Sequence, residues 1–256
     1  MLPASLVADD GVSLTFCYED KQLLPYYTGE GDSGVALPGV TIEHLNAAVA
    51  QSVTPITLRF VRRPWLRCLQ QLELNEVDAL VATYRKSRQK FAVYPTTEHG
   101  ELDPDRAMSS HASCLVHRFD MDIAQKIARS DGKLVVSRPL GHSNPEYPPH
   151  IEVLPVHSQH QALQLVVSGR VDATTTLCQV NGVNGADPSV SEHQLVLVYP
   201  PLYQTTGYLV FSKTFYQQHQ AVAQQLWLLL ADSIEPQRYY DYLHYPDTPK
   251  RDDSRK

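Results

Sequence analysis

A helix–turn–strand pattern occurs twice in this sequence, Asp78 of the first copy standing 94 residues before Asp172 of the second, and it constrains the fold more than any other feature. The first copy lies in residues 58–95, LRFVRRPWLRCLQQLELNEVDALVATYRKSRQKFAVYP. Pro64 suits the first turn of a helix, and Leu66, Leu69 and Leu72 recur at helical spacing, so Trp65–Glu73 is expected as a short amphipathic helix. Asn75 tolerates the left-handed conformation needed just past a helix end. VDALVA, residues 77–82, is an apolar run of the length of a buried parallel strand. The loop of residues 83–88, from Thr83 to a cluster of positive charge, then leaves the carboxyl end of that strand, where open α/β sheets hold ligands.

In the second copy, ALQLVVSGRVDATTT (residues 162–176), Leu69, Gln70, Val77, Asp78 and Ala79 recur as Leu163, Gln164, Val171, Asp172 and Ala173, with Gly169 in the place of Asn75. Two similar units this far apart predict two lobes rather than a solenoid, which needs at least three closely spaced repeats. Around the first copy, a strand over 12–18, a helix over 41–51 and a strand over 54–61 complete a β-α-β-α-β order, hence a parallel sheet with right-handed crossovers. A crossing between lobes is expected in the polar, proline-bearing stretch 94–113. Beyond it come a strand over 114–119, a helical piece over 123–128, and strands over 133–137 and 151–156. Pro145, Pro148 and Pro149 exclude a long helix in between. Strands over 194–199 and 207–211, separated by PPLYQTT, give a second crossing. A helix is expected over 215–231 and a frayed, charged tail from residue 246.

The chain is long enough for one large core or two modest ones, at 256 residues. A net charge of −6 without a long basic run argues against nucleic acid. No segment has the roughly 20 apolar residues of a membrane-spanning helix. Cys17, Cys68, Cys114 and Cys178 stand far apart with no C-x-x-C pair, so no zinc or redox motif is encoded. Buried free thiols are expected, although spacing along the chain says nothing about bridging across the fold. The start, MLPASLVADDG, lacks the charged n-region of a secretory signal yet is similar to the tail end of one. It reads either as a truncated export signal or as a plain flexible terminus. Eleven histidines invite a metal reading, but His150, His157 and His160 lack a carboxylate-backed ligand pattern, and no metal is expected. There is no G-x-S-x-G, P-loop or G-x-G-x-x-G, so neither a catalytic residue nor a cofactor is expected.

Several strings, taken in order, resemble one family. They are L-L-P-Y-Y (23–27), G-V-T-I-E-H-L (39–45), P-W-L-R-x-L-x-x-L-x-x-x-x-V-D-A-L (64–80) and R-x-x-F-A-V-Y-P (88–95). G-K-L-V-V-x-x-P-L-G-H-S (132–143), A-L-Q-L-x-x-S-G-R-V-D-A (162–173) and Y-L-V-F-S-K-x-F (208–215) continue the series. Over roughly residues 12–245 the sequence resembles the type II periplasmic solute-binding proteins, in particular the family 3 group that includes amino-acid receptors of ABC transporters. The resemblance implies an α/β fold of two Rossmann-like lobes joined by two hinge strands, with lobe one at 1–108 and 207–256 and lobe two at 109–206. It implies a small polar or anionic ligand in the interlobe cleft, hinge closure, a monomer in the periplasm and a membrane permease as partner.

By the same resemblance Arg88, with Arg85 as the near alternative, clamps a ligand carboxylate beside Thr83. An arginine suits that role because its planar fork donates two parallel hydrogen bonds. The turn Gly141-His142-Ser143 supplies backbone amides from lobe two. Tyr18, Glu19, Asp20, Tyr26 and Trp65 are the further wall candidates, aromatic faces for an apolar or cationic group and carboxylates for an amine. One departure is Leu177, which stands where the family's amino-acid receptors carry the aspartate that binds the α-amino group. An α-amino acid held in the usual way is therefore not implied. The rival readings are a dehydratase-like enzyme on the same scaffold and a sensing module that acts through a signalling partner.

Overall fold

The computed structural model describes residues 11–32, 35–129, 132–140 and 147–246. The chain begins with β1 (Val12–Glu19), α1 (Val40–Ala50), β2 (Ile56–Arg63), α2 (Trp65–Glu73) and β3 (Ala79–Thr83). After a 3₁₀ turn at Lys86–Lys90 come β4 (Ala92–Val93), β5 (Ser109–Arg118), α3 (Ile123–Ala128), β6 (Leu134–Pro139) and β7 (Ile151–Val156). The chain continues through α4 (Gln159–Val167), β8 (Ala173–Val180), β9 (Val183–Asn184) and α5 (Ser189–Glu192). It ends with β10 (Leu195–Ser212), α6 (Lys213–Gln218), α7 (Gln220–Asp232) and α8 (Pro236–His244).

The sheet runs β2-β1-β3-β10-β5-β8-β6-β7. Its two ends are built alike: β1 lies parallel between β2 and β3, and β6 lies parallel between β7 and β8. The repeat seen in the sequence is therefore the repeat of the fold. Asp78 Oδ2 accepts from the Thr15 amide at 2.7 Å while its own amide donates to the Thr15 carbonyl at 2.9 Å. Asp172 makes the same pair with Val135, at 2.8 and 2.9 Å. Each aspartate thus closes the gap where two parallel strands diverge. The preceding turns use the left-handed conformation as expected, with φ of 57° at Asn75 and 69° at Gly169.

The lobes meet through β5 and β10, which are antiparallel to each other. β10 pairs with β5 from Leu195 to Gly207 and with β3 from Gly207 to Phe211. Residues 194–211 do not form the two separate strands expected; β10 is continuous across PPLYQTT, its pairing with β5 merely shifting register between Val198 and Tyr203. Strand 207–211 pairs onto β3, so β10 itself carries the chain back into the first lobe. The helix expected over 215–231 is broken at His219 into α6 and α7, and α8 adds a helix not anticipated. The end of the tail, 247–256, lies outside the described residues, as does 1–10.

Alternation along β1 sends Leu14, Phe16 and Tyr18 into a cluster with α1 and α7, and Cys17 into a second one with Cys68 and Leu72 of α2. Helices thus cover both faces of the first-lobe strands. The four cysteines are not free thiols: Cys17 is bonded to Cys68 and Cys114 to Cys178. The first bridge ties β1 to α2, and the second ties β5 to β8. Elements 51 and 64 residues apart in sequence are brought side by side by the sheet and the α2 packing, which spacing alone does not reveal.

Candidate functional site: a cleft between the lobes

A cleft of about 400 Å³ opens between the lobes. One wall carries Glu19, Tyr26, Trp65, Thr83, Arg88 and Gly207, at the carboxyl ends of β1 and β3 and the start of α2. The opposite wall carries His111, Arg138, Gln159, Thr175, Thr176, Leu177 and Tyr203. Both walls are therefore built from the strand ends at which parallel sheets present ligand groups. Gly207 belongs where the chains approach closely, since a Cβ there would lie 2.9 Å from Ser109 Oγ.

Arg88 is buried, 6% exposed. The 3₁₀ turn folds it back so that Nη1 donates to the Thr83 carbonyl at 2.9 Å and reaches the Thr83 hydroxyl at 3.3 Å. Tyr94 donates to the same carbonyl at 2.9 Å. The guanidinium carbon lies 5.8 Å from the centre of the Trp65 ring. These oxygens are neutral, and burial lowers the Arg88 pKa from its ordinary value. A buried cation held by neutral acceptors is a costly arrangement.

Across the cleft Arg138 is equally buried, at 6% exposed, near the carboxyl end of β6. Its Nη1 donates to the Tyr147 hydroxyl at 2.7 Å, to Thr175 Oγ1 at 3.3 Å and to the Tyr203 hydroxyl. The guanidinium lies 5.0 Å from the centre of the Tyr203 ring. Nearby, His111 Nε2 pairs with the Thr205 hydroxyl, and the His111 ring is 5.7 Å from that of Tyr26. The Tyr26 hydroxyl is buried without a hydrogen-bond partner. Burial raises its pKa well above that of a free tyrosine, so it offers the cleft a neutral O–H.

Of the residues singled out in the sequence, Glu19, Tyr26, Trp65, Thr83 and Arg88 share this cleft. Tyr18, Asp20 and Arg85 are not among its lining residues. Tyr18 is 4% exposed and has the Arg62 guanidinium 5.1 Å from its ring centre. Arg85 caps the start of the 3₁₀ turn in an extended conformation, and the Asp20 amide bonds to the Arg63 carbonyl. Gly141, His142 and Ser143 lie outside the described residues. Leu177 does line the cleft, between the hydroxyls of Thr175 and Thr176 and the apolar cluster beneath α8. Arg138 was not singled out. The signal for it was an arginine at the carboxyl end of a parallel strand, one residue beyond the run KLVVS. Among the described residues no group of three or more His, Cys, Asp or Glu is placed to hold a metal, and no helix is long and apolar enough to cross a membrane.

No protein-family model matches the chain, and no curated protein matches it in sequence. Solved structures match over most of its length. AncCDT-1, described as an ancestral amino acid-binding protein and a precursor of cyclohexadienyl dehydratase, superposes with a TM-score of 0.61 at 16% identity, covering 90% of this chain and 95% of its own. A structure describing glutathione import via GshT and the cystine ABC importer TcyBC of Streptococcus mutans gives 0.63 at 14%, covering 91% and 95%. ArtJ of Geobacillus stearothermophilus, an arginine-, lysine- and histidine-binding protein, gives 0.59 at 15%, covering 94% and 97%. The chain has the two-lobed α/β fold of the type II periplasmic binding proteins. At 14–16% identity the likeness is one of fold.

Proposed function

We propose that the protein captures a small anionic solute in the interlobe cleft and delivers it to the membrane permease of an ABC-type transporter, without catalysing a reaction. The observation that carries this reading is Arg88: a buried guanidinium on the cleft wall, oriented by the neutral oxygens of Thr83 and flanked by Trp65. A carboxylate matches its fork geometry. The permease and the transport role draw their support from the amino-acid and glutathione importers among the structural neighbours.

In this reading lobe one comprises residues 1–108 and 207–256 and lobe two residues 109–206. The change of partner by β10 at Gly207 supports that division. The solute binds lobe one first, through Arg88, Thr83 and Trp65. Contacts from lobe two then favour the closed state, because a ligand shifts a hinge only by its differential affinity for the two forms. Two disulfides support an oxidising, extracytoplasmic location such as the periplasm. A monomer suffices, since both walls come from one chain.

A thermal-shift screen of amino acids, small carboxylates and polyamines tests the proposal, because a ligand bound only by the folded state raises its apparent stability. An acidic solute is expected to raise the transition temperature, and Arg88→Ala to abolish that shift. A shift left intact by Arg88→Ala would contradict the site. The likeness to AncCDT-1 favours one second reading, a dehydratase-like enzyme on the same scaffold. It requires proton-transfer groups at the cleft, for which Glu19 and His111 are the candidates. Turnover of a prephenate-like acid distinguishes it from a binding protein.

A further inference from the structure

The two strands that join the lobes also build the floor of the cleft. Ser109, His111 and Ser113 alternate along β5, and their cross-strand partners in β10 are Gly207, Thr205 and Tyr203. All six line the cavity, because alternate residues of a paired ribbon share one face. Gly207 also pairs with Thr83, the residue that holds Arg88, so the floor begins beside that guanidinium. His111 and Thr205 bond to each other across the ribbon. The hydroxyls of Ser109 and Ser113 have no hydrogen-bond partner among the described residues, and neither has that of Thr176 on the adjoining strand β8. These side chains are buried, at 4%, 9% and 4% exposed, yet none of their oxygens is fully enclosed. A Cβ at Gly207 would come within 2.9 Å of Ser109 Oγ, so the glycine leaves that hydroxyl uncovered on its β10 side.

A hydroxyl can donate and accept at once, so it suits a neutral O–H of a solute. None of the floor side chains is a carboxylate, and the lining residue after Thr176 is Leu177. An ammonium group would meet no counter-charge on this floor. An alkyl chain would displace water from the three hydroxyls without replacing its hydrogen bonds. Resting on the solute-binding reading above, we infer that the solute is a polyhydroxylated carboxylic acid of the sugar-acid class, with its carboxylate at Arg88 and its hydroxyls on Ser109, Ser113 and Thr176. Recognition and the joint between the lobes then share one pair of strands.

Calorimetric titration of the full chain with gluconate, hexanoate and norleucine tests the inference, since the three share a carboxylate and a six-carbon chain. Gluconate is expected to bind about tenfold or more tightly than either of the others, because a site built to bond hydroxyls disfavours analogues that lack them. Ser109→Ala, Ser113→Ala and Thr176→Val should each lower the gluconate-to-hexanoate affinity ratio about twofold to tenfold, the usual worth of one hydrogen bond. Circular dichroism checks that each variant is folded, and where one is not, the wild-type comparison decides. Hexanoate or norleucine binding as tightly as gluconate, or an unchanged ratio in the folded variants, overturns the inference alone. If none of the three acids binds, the inference is overturned, while the solute-binding reading falls only if the wider thermal-shift screen is also silent.

Discussion

The two lobes share a plan and differ in what fills it. Each places its central parallel strand between two others, and each locks the helix–turn–strand unit with an aspartate bonded to that central strand. Lobe one then builds a large core, in which Phe16, Phe211, Trp227 and five leucines from Leu14 to Leu209 are almost completely buried. Of the largest fully buried side chains among the described residues, only Leu134 comes from residues 109–206. Lobe two instead has small clusters around Val116, Val166 and Val136 and three buried threonines in β8, of which Thr175 and Thr176 line the cleft while Thr174 donates to the Ser137 carbonyl. The same scaffold thus serves as an anchor on one side and as a polar, cleft-lining surface on the other. The C-terminal helix reinforces the anchor: Arg238 makes a two-pronged ion pair with Glu43 of α1 at 2.7 and 2.8 Å, and Tyr242 donates to the same carboxylate.

Each structural half of this comparison can be broken separately. The largest effect is expected from the disulfides, one in each lobe. Removing Cys17–Cys68 or Cys114–Cys178 as a Ser pair should each cost about 2–4 kcal/mol, with similar values because the loops closed are similar in length, 51 and 64 residues. Chemical denaturation of the two double variants checks this; a large inequality would mean that one lobe unfolds without the other. Next come the paired aspartates. Asp172→Ala should cost about 2 kcal/mol and Asp78→Ala about 1 kcal/mol, since each leaves a strand amide without its acceptor and Asp172 also holds Lys126 at 2.5 Å. Equal losses would remove the distinction between the copies. Smaller again are the turns: Gly169→Ala should cost about 1 kcal/mol, because Gly169 adopts a φ of 69° and an added Cβ would meet the Arg118 guanidinium. Asn75→Gly should be close to neutral by the same measurement, as glycine adopts that conformation freely.

The smallest effect concerns pH. His44, buried in α1 and bonded to the Ser233 hydroxyl at 2.9 Å, has its pKa lowered by burial. The unfolded chain then binds a proton at a higher pH than the folded one. Stability is fully present above the ordinary histidine pKa of about 6.5 and is lost as pH falls below it towards the depressed folded value. Thermal melts between pH 7 and pH 5 should show a decline that His44→Gln flattens. An unchanged slope in the variant would assign the decline to other groups.

The sequence carried the local architecture because its signals were local. Trp65–Glu73, Ile123–Ala128 and Ile151–Val156 have the bounds that periodicity and capping predict. Asn75 and Gly169 marked their turns through the one property that a left-handed residue needs. What was not legible depended on contacts made across the fold. Cys17 and Cys68 each lie on the face that packs into the α2 cluster, a fact that needs β1 and α2 to be docked before it means anything. PPLYQTT gives the local sequence of a crossing between two strands, yet β10 passes through it with a register shift against β5. Arg88 was legible because a loop follows an obvious apolar strand, whereas Arg138 was hidden between such a strand and a proline-rich segment.

The central claim of the proposed function is that an anionic solute held by Arg88 draws the two walls of the cleft together. Solution X-ray scattering with and without a saturating acidic ligand tests it most directly. The account predicts a smaller radius of gyration in the liganded wild-type protein and no contraction in Arg88→Ala at the same ligand concentration. Calorimetrically verified binding with an unchanged scattering curve, or equal contraction in Arg88→Ala, would contradict it.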